Sequence, residues 1–267
     1  MSLTSVPSVP QPARPGGRTV GSALMALFFK SFKLLKLGKV LVLGASLAGY
    51  GWLYGWRFGI LLTASILFHE WGHVRAMRLV GVEPKGIWMI PFMGGMAFMN
   101  PPQTRRQEAV IALGGPLFGF GSVLAIAAVW AISGERSWAA YAAFIALVNL
   151  FNLLPIGVLD GGRLTQAVSA SIHTGLGIGL YGLGMLVGAV AAAWLHSWVL
   201  AAILFVALIE TGGRIRRGAY GSMPGMTRAE TGVAFLAYIG LVLLLIGVII
   251  GLSTVPGADL AAHILQD

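Results

Sequence analysis

The sequence contains no cysteine, and this absence removes two classes of structure at once. Without thiols there is neither a disulfide framework nor a thiolate metal site. Any transition metal must therefore be held by histidine and carboxylate side chains. The 267 residues supply only five His and nine Asp or Glu for that purpose, so few metal sites can be built.

Charged side chains are also scarce: they form 10% of the chain, whereas a soluble domain carries about 25%. Apolar residues make up 57%, and several stretches run for about 18 or more residues almost without charge, which is enough to span a hydrocarbon core. The 38 glycines agree, because Gly is common in membrane helices and lets their backbones approach closely. The sequence predicts an all-α polytopic membrane protein without a soluble domain.

The predicted order along the chain starts with a flexible, Pro-rich tail at 1–20 and a basic interfacial helix at 21–39. A basic flank of the first membrane span would explain the lysines of 21–39 equally well. A transmembrane domain at 40–253 and a short tail at 254–267 follow. The predicted spans number six or seven, because the first and sixth are short: 40–56, 58–80, 108–132, 137–158, 174–194, 197–212 and 230–252.

The net charge of +9 has a topological explanation. With an inside N-terminus and seven spans, the outside segments hold only Arg57 and Arg136. The inside segments hold the other sixteen cations: Arg14, Arg18, Lys30, Lys33, Lys36, Lys39, Arg75, Arg78, Lys85, Arg105, Arg106, Arg163, Arg214, Arg216, Arg217 and Arg228. This asymmetry follows the positive-inside rule, so nucleic-acid binding is not needed to explain the basic composition.

The second predicted span ends in the pattern H-E-W-G-H at 69–73. His69 and His73 are four residues apart, so on a helix they point the same way, and two imidazoles so placed can bind one Zn²⁺. Glu70 lies beside that metal without ligating it, which suits a general base that activates water. Two alternatives are a chance match and a polar cluster at the inner end of the span.

A catalytic zinc commonly takes three protein ligands, so a third is required. Asp160 is the best candidate, because it follows the fourth span, which returns to the same side of the membrane as His73. The alternative is that Asp160, which precedes two glycines, caps the next helix.

With these residues the chain resembles the site-2 protease family of intramembrane zinc metalloproteases. The resemblance covers roughly residues 60–165 and rests on H-E-W-G-H together with further patterns at 91–98, 107–119 and 152–161. It implies a three-helix catalytic core at about 58–165, one Zn²⁺ bound by His69, His73 and Asp160, and Glu70 as the catalytic acid and base. One departure is that Gly157 and Val158 stand where the family often has a second Pro before L-D-G.

Three further features bear on the site. Asn152 lies two turns before Asp160, and the resemblance implies that it hydrogen-bonds the substrate; an interhelical hydrogen bond is the alternative for it, and the preferred interpretation for Asn149. Residues 87–99 are too broken for a span and predict a re-entrant loop or a short strand pair beside the site. An exposed edge there could pair with an extended substrate; the alternative is that the segment only covers the site. Thr104 and Gln107 predict a capping box that opens the third span.

The resemblance implies cleavage of membrane-spanning segments of other proteins, in a bacterial cytoplasmic membrane and with the site toward the cytoplasm. The expected partners are a membrane-protein substrate, the lipid bilayer and a regulatory membrane protein. Two other functions remain open at this point: a catalytically silent relative that binds membrane partners, and a zinc or proton transporter. A transporter predicts polar residues through several spans, which the later helices lack.

Overall fold

The computed structural model describes residues 36–90, 94–99, 102–157, 159–194, 196, 201, 204–205, 207–209 and 223–255. The chain divides into two compact units, 1–41 and 42–267, and only the start of one helix is described in the first. The predicted tails at 1–20 and 254–267 therefore lie outside the described residues, apart from 254 and 255, as does the predicted interfacial helix apart from 36–39. The described elements are, in order, α1 (Lys36–Tyr54), α2 (Trp56–Leu79), β1 (Pro84–Ile90), β2 (Gly94–Met99), α3 (Arg105–Ser133), α4 (Arg136–Asn152), α5 (Asp160–Ile172), α6 (Thr174–Trp194) and α7 (Arg228–Ser253).

The described residues are mostly helical, as the composition predicts. Among the described residues, three helices are long and apolar enough to cross a membrane: α3, α6 from Gly175 onward, and α7. They coincide with the predicted spans at 108–132, 174–194 and 230–252. Six or seven spans stay a prediction, because α2 carries four charged residues, α4 has only 17 residues, and most of 197–212 lies outside the described residues.

The predicted fourth span at 137–158 is too long. Helix α4 ends at Asn152, and residues 153–157 form turns. Pro155 has no backbone N–H to continue the helix, and Gly157 adopts a left-handed φ of 41°. The chain therefore leaves the helix before the next one begins at Asp160.

Helix boundaries elsewhere follow local sequence signals. The capping box of Thr104 and Gln107 is confirmed: the Thr104 hydroxyl accepts from the Gln107 backbone N–H, and the Gln107 side chain bonds the Thr104 backbone in return. The same helix, α3, ends at Gly134 with φ 69°, a conformation that favours glycine. Helix α7 starts with a second capping box, formed by Thr227 and Glu230.

The segment predicted as a re-entrant loop or strand pair is a strand pair. Strands β1 and β2 are antiparallel, with Ile87 opposite Ala97 and a bulge between Pro84 and Gly86. The hairpin packs on α2 and α3: Ala97 and Met99 contact a buried cluster around Met77 and Ile111.

The elements meet at two ends of the helical assembly. At one end, the Gln107 side chain donates to the Val80 carbonyl (3.0 Å), and Arg106 lies 3.2 Å from Glu230. We call this the basic end, and it comprises residues 80–85, 103–108 and 223–230. At the opposite end, Arg57 pairs with Glu135 (2.9 Å). Hydrogen bonds from Ser137 and Arg57 hold the pKa of that carboxyl below its usual range.

Candidate metal centre

Helix α2 carries the two histidines and the glutamate of the site. His69, Glu70 and His73 are 5–6% exposed, so all three lie inside the protein. The Nε2 atoms of His69 and His73 are 3.2 Å apart, as expected for imidazoles one turn apart on the same face. These three residues form a group that could hold a metal ion, with one ligand atom from each within 4.8 Å of the others.

Asp160 reaches the same point from a different stretch of chain. Its Oδ2 atom lies 3.0 Å from His69 Nε2 and 3.2 Å from His73 Nε2, and the residue is 7% exposed. It is the first residue of α5, which follows the turns after α4. The next two residues are glycines, and a Cβ on either would collide with backbone atoms of that turn, which explains their type.

The spacing of these three side-chain atoms matches the spacing that a tetrahedral metal would need. Bonds of about 2.0–2.1 Å to Zn²⁺ place ligands about 3.3 Å apart in a tetrahedron, and the three distances here are 3.0, 3.2 and 3.2 Å. Gly115 of α3 faces the same point: a Cβ there would overlap His73 Nε2 and lie 2.6 Å from His69 Nε2. A glycine at this position therefore keeps the space beside the two imidazole nitrogens free of a side chain.

Glu70 lies beside the ligand atoms and next to the hairpin. Its carboxylate is within hydrogen-bonding reach of the backbone N–H of Ala97, on strand β2. The carboxylate is therefore held between the two histidines and the backbone of a strand. A group so placed can accept a proton from a water at the site and hand it to a substrate atom beside the strand.

A second layer of contacts orients the two imidazoles. His69 Nδ1 is 3.0 Å from Asn149 Oδ1, and His73 Nδ1 is 2.7 Å from the Ile111 carbonyl oxygen. Metal-binding histidines commonly donate their second nitrogen to such acceptors. The sequence predicted an interhelical hydrogen bond for Asn149, and the structure shows one, between Asn149 on α4 and His69 on α2. It did not indicate that the partner is a predicted metal ligand.

The remaining candidates have no contact with His69, His73 or Asp160 among those described above. Asn152 is partly exposed at the last residue of α4, and its substrate contact stays a prediction. His173 and His196 are exposed, and neither belongs to the group of possible metal ligands around His69 that the described residues form. His263 lies outside the described residues.

Comparison with known proteins tests the family resemblance that the sequence predicts. Residues 57–135 match Peptidase family M50, the site-2 protease family, and this segment contains His69, Glu70 and His73. The match confirms the predicted family resemblance. Asp160 and Asn149 lie beyond the matched segment, so their assignment rests on the geometry above.

Curated relatives agree with this family. The chain is 33% identical over 143 residues to putative zinc metalloprotease Rip3 of Mycobacterium tuberculosis, covering 47% of this chain and 35% of the relative. It is 31% identical over 134 residues to zinc metalloprotease MJ0392 of Methanocaldococcus jannaschii (48% and 39%). Putative zinc metalloprotease sll0528 of Synechocystis is 28% identical over 129 residues (45% and 33%). The matches thus span between 33% and 39% of the length of these relatives.

Proposed function

We propose that this chain is an intramembrane zinc metalloendopeptidase that hydrolyses peptide bonds in or near the membrane-spanning segments of other proteins. One observation carries the proposal: His69, His73 and Asp160 bring three ligand atoms within 3.2 Å of one another, from two separate stretches of chain, beside the buried Glu70. A hydrolytic zinc site uses three protein ligands and leaves the fourth position for water. A nearby carboxylate that is not a ligand can then serve as the general base.

In the proposed reaction the metal and the protein side chains have different roles. Bound Zn²⁺ would lower the pKa of water toward about 7 and polarise the scissile carbonyl. Glu70 would take the proton from the attacking water and pass it to the leaving amine. Asn152, at the end of α4, would hydrogen-bond the substrate, which is the role that the family resemblance implies for it.

The hairpin supports peptide cleavage over metal transport. A peptide must be extended before its backbone can be cut, and an extended peptide can add to a strand by main-chain hydrogen bonds. Strand β2 places its Ala97 backbone beside Glu70. A substrate strand aligned with this hairpin would pass close to the catalytic carboxylate, whereas a transport path has no use for a strand there.

The contacts at the two ends support a site toward the cytoplasm. The segments that the charge distribution assigns to the inside meet at the basic end, and Arg57 and Glu135 of the outside segments meet at the other. His73 lies six residues before Leu79, which ends α2. At about 1.5 Å per residue this is about 9 Å, so water would enter from the basic end.

The proposal is tested by separating zinc binding from cleavage. We expect wild-type protein purified in detergent to hold one zinc per chain by elemental analysis, Glu70→Gln to keep it, and Asp160→Ala to lose most of it. Peptide N-termini newly formed in membrane proteins, measured by mass spectrometry of expressing cells, should appear with wild type and disappear with both variants. Glu135→Gln, an exposed acid at the opposite end, serves as the control and should match wild type in both assays.

The outcomes distinguish the rival functions. New N-termini that persist in Glu70→Gln would contradict the protease assignment. Zinc that binds without any new N-termini in wild type would support a silent relative. Full zinc content in Asp160→Ala would mean that the proposed ligand set is wrong.

A further inference from the structure

We propose that Asn149 is a positioning residue that fixes the tautomer and ring orientation of His69, so that Nε2 faces the metal. The inference rests on the proposed function, since it concerns the same centre. Asn149 lies on α4, is 3% exposed and contacts no metal-facing atom itself. It acts through its Oδ1 atom, 3.0 Å from His69 Nδ1.

The orientation of the Asn149 amide follows from its second contact. The Nδ2 group donates to the Ile145 carbonyl, one turn earlier on the same helix, at 2.8 Å. A carbonyl oxygen can only accept, so the NH₂ end of the amide must face Ile145 and the oxygen must face His69. Because Oδ1 can only accept, His69 Nδ1 carries the proton. The lone pair of the neutral imidazole is then on Nε2, the atom 3.0 Å from Asp160.

The neighbouring helix is shaped around this amide. A Cβ on Gly119 of α3 would overlap Asn149 Oδ1, and it would lie 2.5 Å or more from the other amide atoms. Gly119 therefore leaves the space that lets the amide reach His69. Two residues along, Gly121 has only an ordinary contact, 3.6 Å from Phe68. Of these two glycines, therefore, only Gly119, which faces Asn149, has no room for a Cβ.

The Nδ1 atoms of the two histidines have different hydrogen-bond partners, so the effect of a substitution can be compared between them. His73 Nδ1 lies 2.7 Å from the backbone carbonyl of Ile111, which no side-chain substitution removes. His69 depends on a side chain. Losing the Asn149 contact should therefore free one ligand while leaving the other in place, so zinc binding should weaken without vanishing.

The test measures zinc affinity by competition with a chelator, in full-length protein purified in detergent. Removing a hydrogen-bond partner of a ligating histidine typically costs 10–100-fold in metal affinity. We expect a loss of this size in Asn149→Leu, which keeps the volume but accepts no hydrogen bond. Asn149→Asp keeps an oxygen acceptor and should recover most of the affinity.

A steric variant gives an independent test with a matched control. Gly119→Ala should weaken zinc binding to a similar degree, because the new methyl displaces the amide oxygen, while Gly121→Ala should bind as wild type. The visible spectrum of the Co²⁺-substituted protein should change in Asn149→Leu and Gly119→Ala and stay unchanged in Gly121→Ala. Asn152→Leu should retain full zinc affinity.

The results separate this inference from the proposed function. Wild-type zinc affinity in both Asn149→Leu and Gly119→Ala, together with zinc loss in Asp160→Ala, would overturn the role of Asn149 and leave the metal centre intact. Zinc affinity that Asn149→Asp fails to recover would also overturn it, because the side chain would then contribute only packing. Retention of zinc in Asp160→Ala would instead refute the centre itself.

Discussion

The helices around the metal centre differ from the later helices in where they keep their polar groups. Helices α2, α4 and α5 bury His69, Asn149 and Asp160 among their neighbours. Helix α6 contains no Asp, Glu, Lys, Arg or His, and α7 confines its charges to its first turn. Half of the most apolar stretch of α3 is buried, against 17% of the most apolar stretch of α7.

This difference shows how a polar site is tolerated in an apolar chain. Ionisable groups in a membrane are costly unless other protein groups surround and pair with them. Helices α2 and α3 supply the enclosure because glycines allow close approach: a Cβ on Gly114 would lie 2.6 Å from Ala76 and 2.8 Å from the Gly72 carbonyl oxygen. The later helices instead expose large apolar side chains, which suits contact with lipid.

The strongest test of this comparison fills the space at the centre. Gly115→Ala places a methyl group where it overlaps His73 Nε2, so we expect zinc binding to be abolished, a loss of more than about 100-fold and beyond that for a single orienting contact. Gly121→Ala, on the same helix, is the matched control and should bind normally. Alanine is a better helix former than glycine, so reduced zinc content could not be ascribed to weaker α3 helix formation.

Equal zinc content in Gly115→Ala and wild type would contradict the proposed difference between the helices around the metal centre and the later helices. It would mean that the metal does not lie between α2 and α3, and that the enclosed polar cluster has another purpose.

Much of the centre could be predicted from the sequence because its strongest signals are local. His69 and His73 share a helix, so their four-residue spacing alone fixes their relative direction. The capping box at Thr104 follows from nearby residues in the same way, and the broken pattern at 87–99 limited that segment to a re-entrant loop or a strand pair. Asp160 belongs to a different stretch of chain, so predicting that it lies near the two histidines also required the membrane topology and the family resemblance.

The rest depended on contacts between helices. Asn149 and Asn152 are three residues apart, and only the rotation of α4 against α2 decides which one reaches His69. The importance of Gly115 and Gly119 likewise depends on the register of α3 against α2 and α4, which no short pattern encodes. The end of α4 was missed because the apolar residues after Asn152 continue the hydropathy signal past the point where Pro155 stops the helix.

The lipid-facing character of the later helices can be tested with a charge. Leu243 is near the middle of α7 and 62% exposed. Leu243→Lys should cost about 3 kcal/mol of membrane insertion if this face contacts hydrocarbon. Insertion is measured as the fraction of α7 that a translocation reporter finds across the membrane.

Leu79→Lys is the matched control for this substitution. Leu79 is 81% exposed at the basic end of α2, where a lysine can reach water and headgroups, so insertion should be unchanged. If Leu243→Lys inserted with the same efficiency as Leu79→Lys, α7 would not face lipid at Leu243. The two groups of helices would then not differ at that position.

The smallest expected effect concerns a hydrogen bond between the two groups of helices, at the turn that leads to Asp160. The Tyr238 hydroxyl, on α7, donates to the Leu153 carbonyl (2.7 Å), at the start of the turn that leads to Asp160. Leu153 is 1% exposed, so its carbonyl would have no water to replace the lost donor. Tyr238→Phe should lower the free energy of unfolding by about 1–2 kcal/mol, and weaken zinc binding several-fold because the turn that positions Asp160 loosens.

Ser253→Ala controls for loss of a side-chain hydrogen bond elsewhere on α7, since its hydroxyl donates to the Ile250 carbonyl at the opposite end of that helix. Thermal unfolding and chelator competition on both variants separate stability from metal affinity. If Tyr238→Phe lost stability but bound zinc like Ser253→Ala, α7 would support folding alone, and the enclosed helices would form the centre without help from the lipid-facing ones. A specific fall in zinc affinity would show that α7 helps to position Asp160, the proposed ligand that lies beyond the segment matching Peptidase family M50.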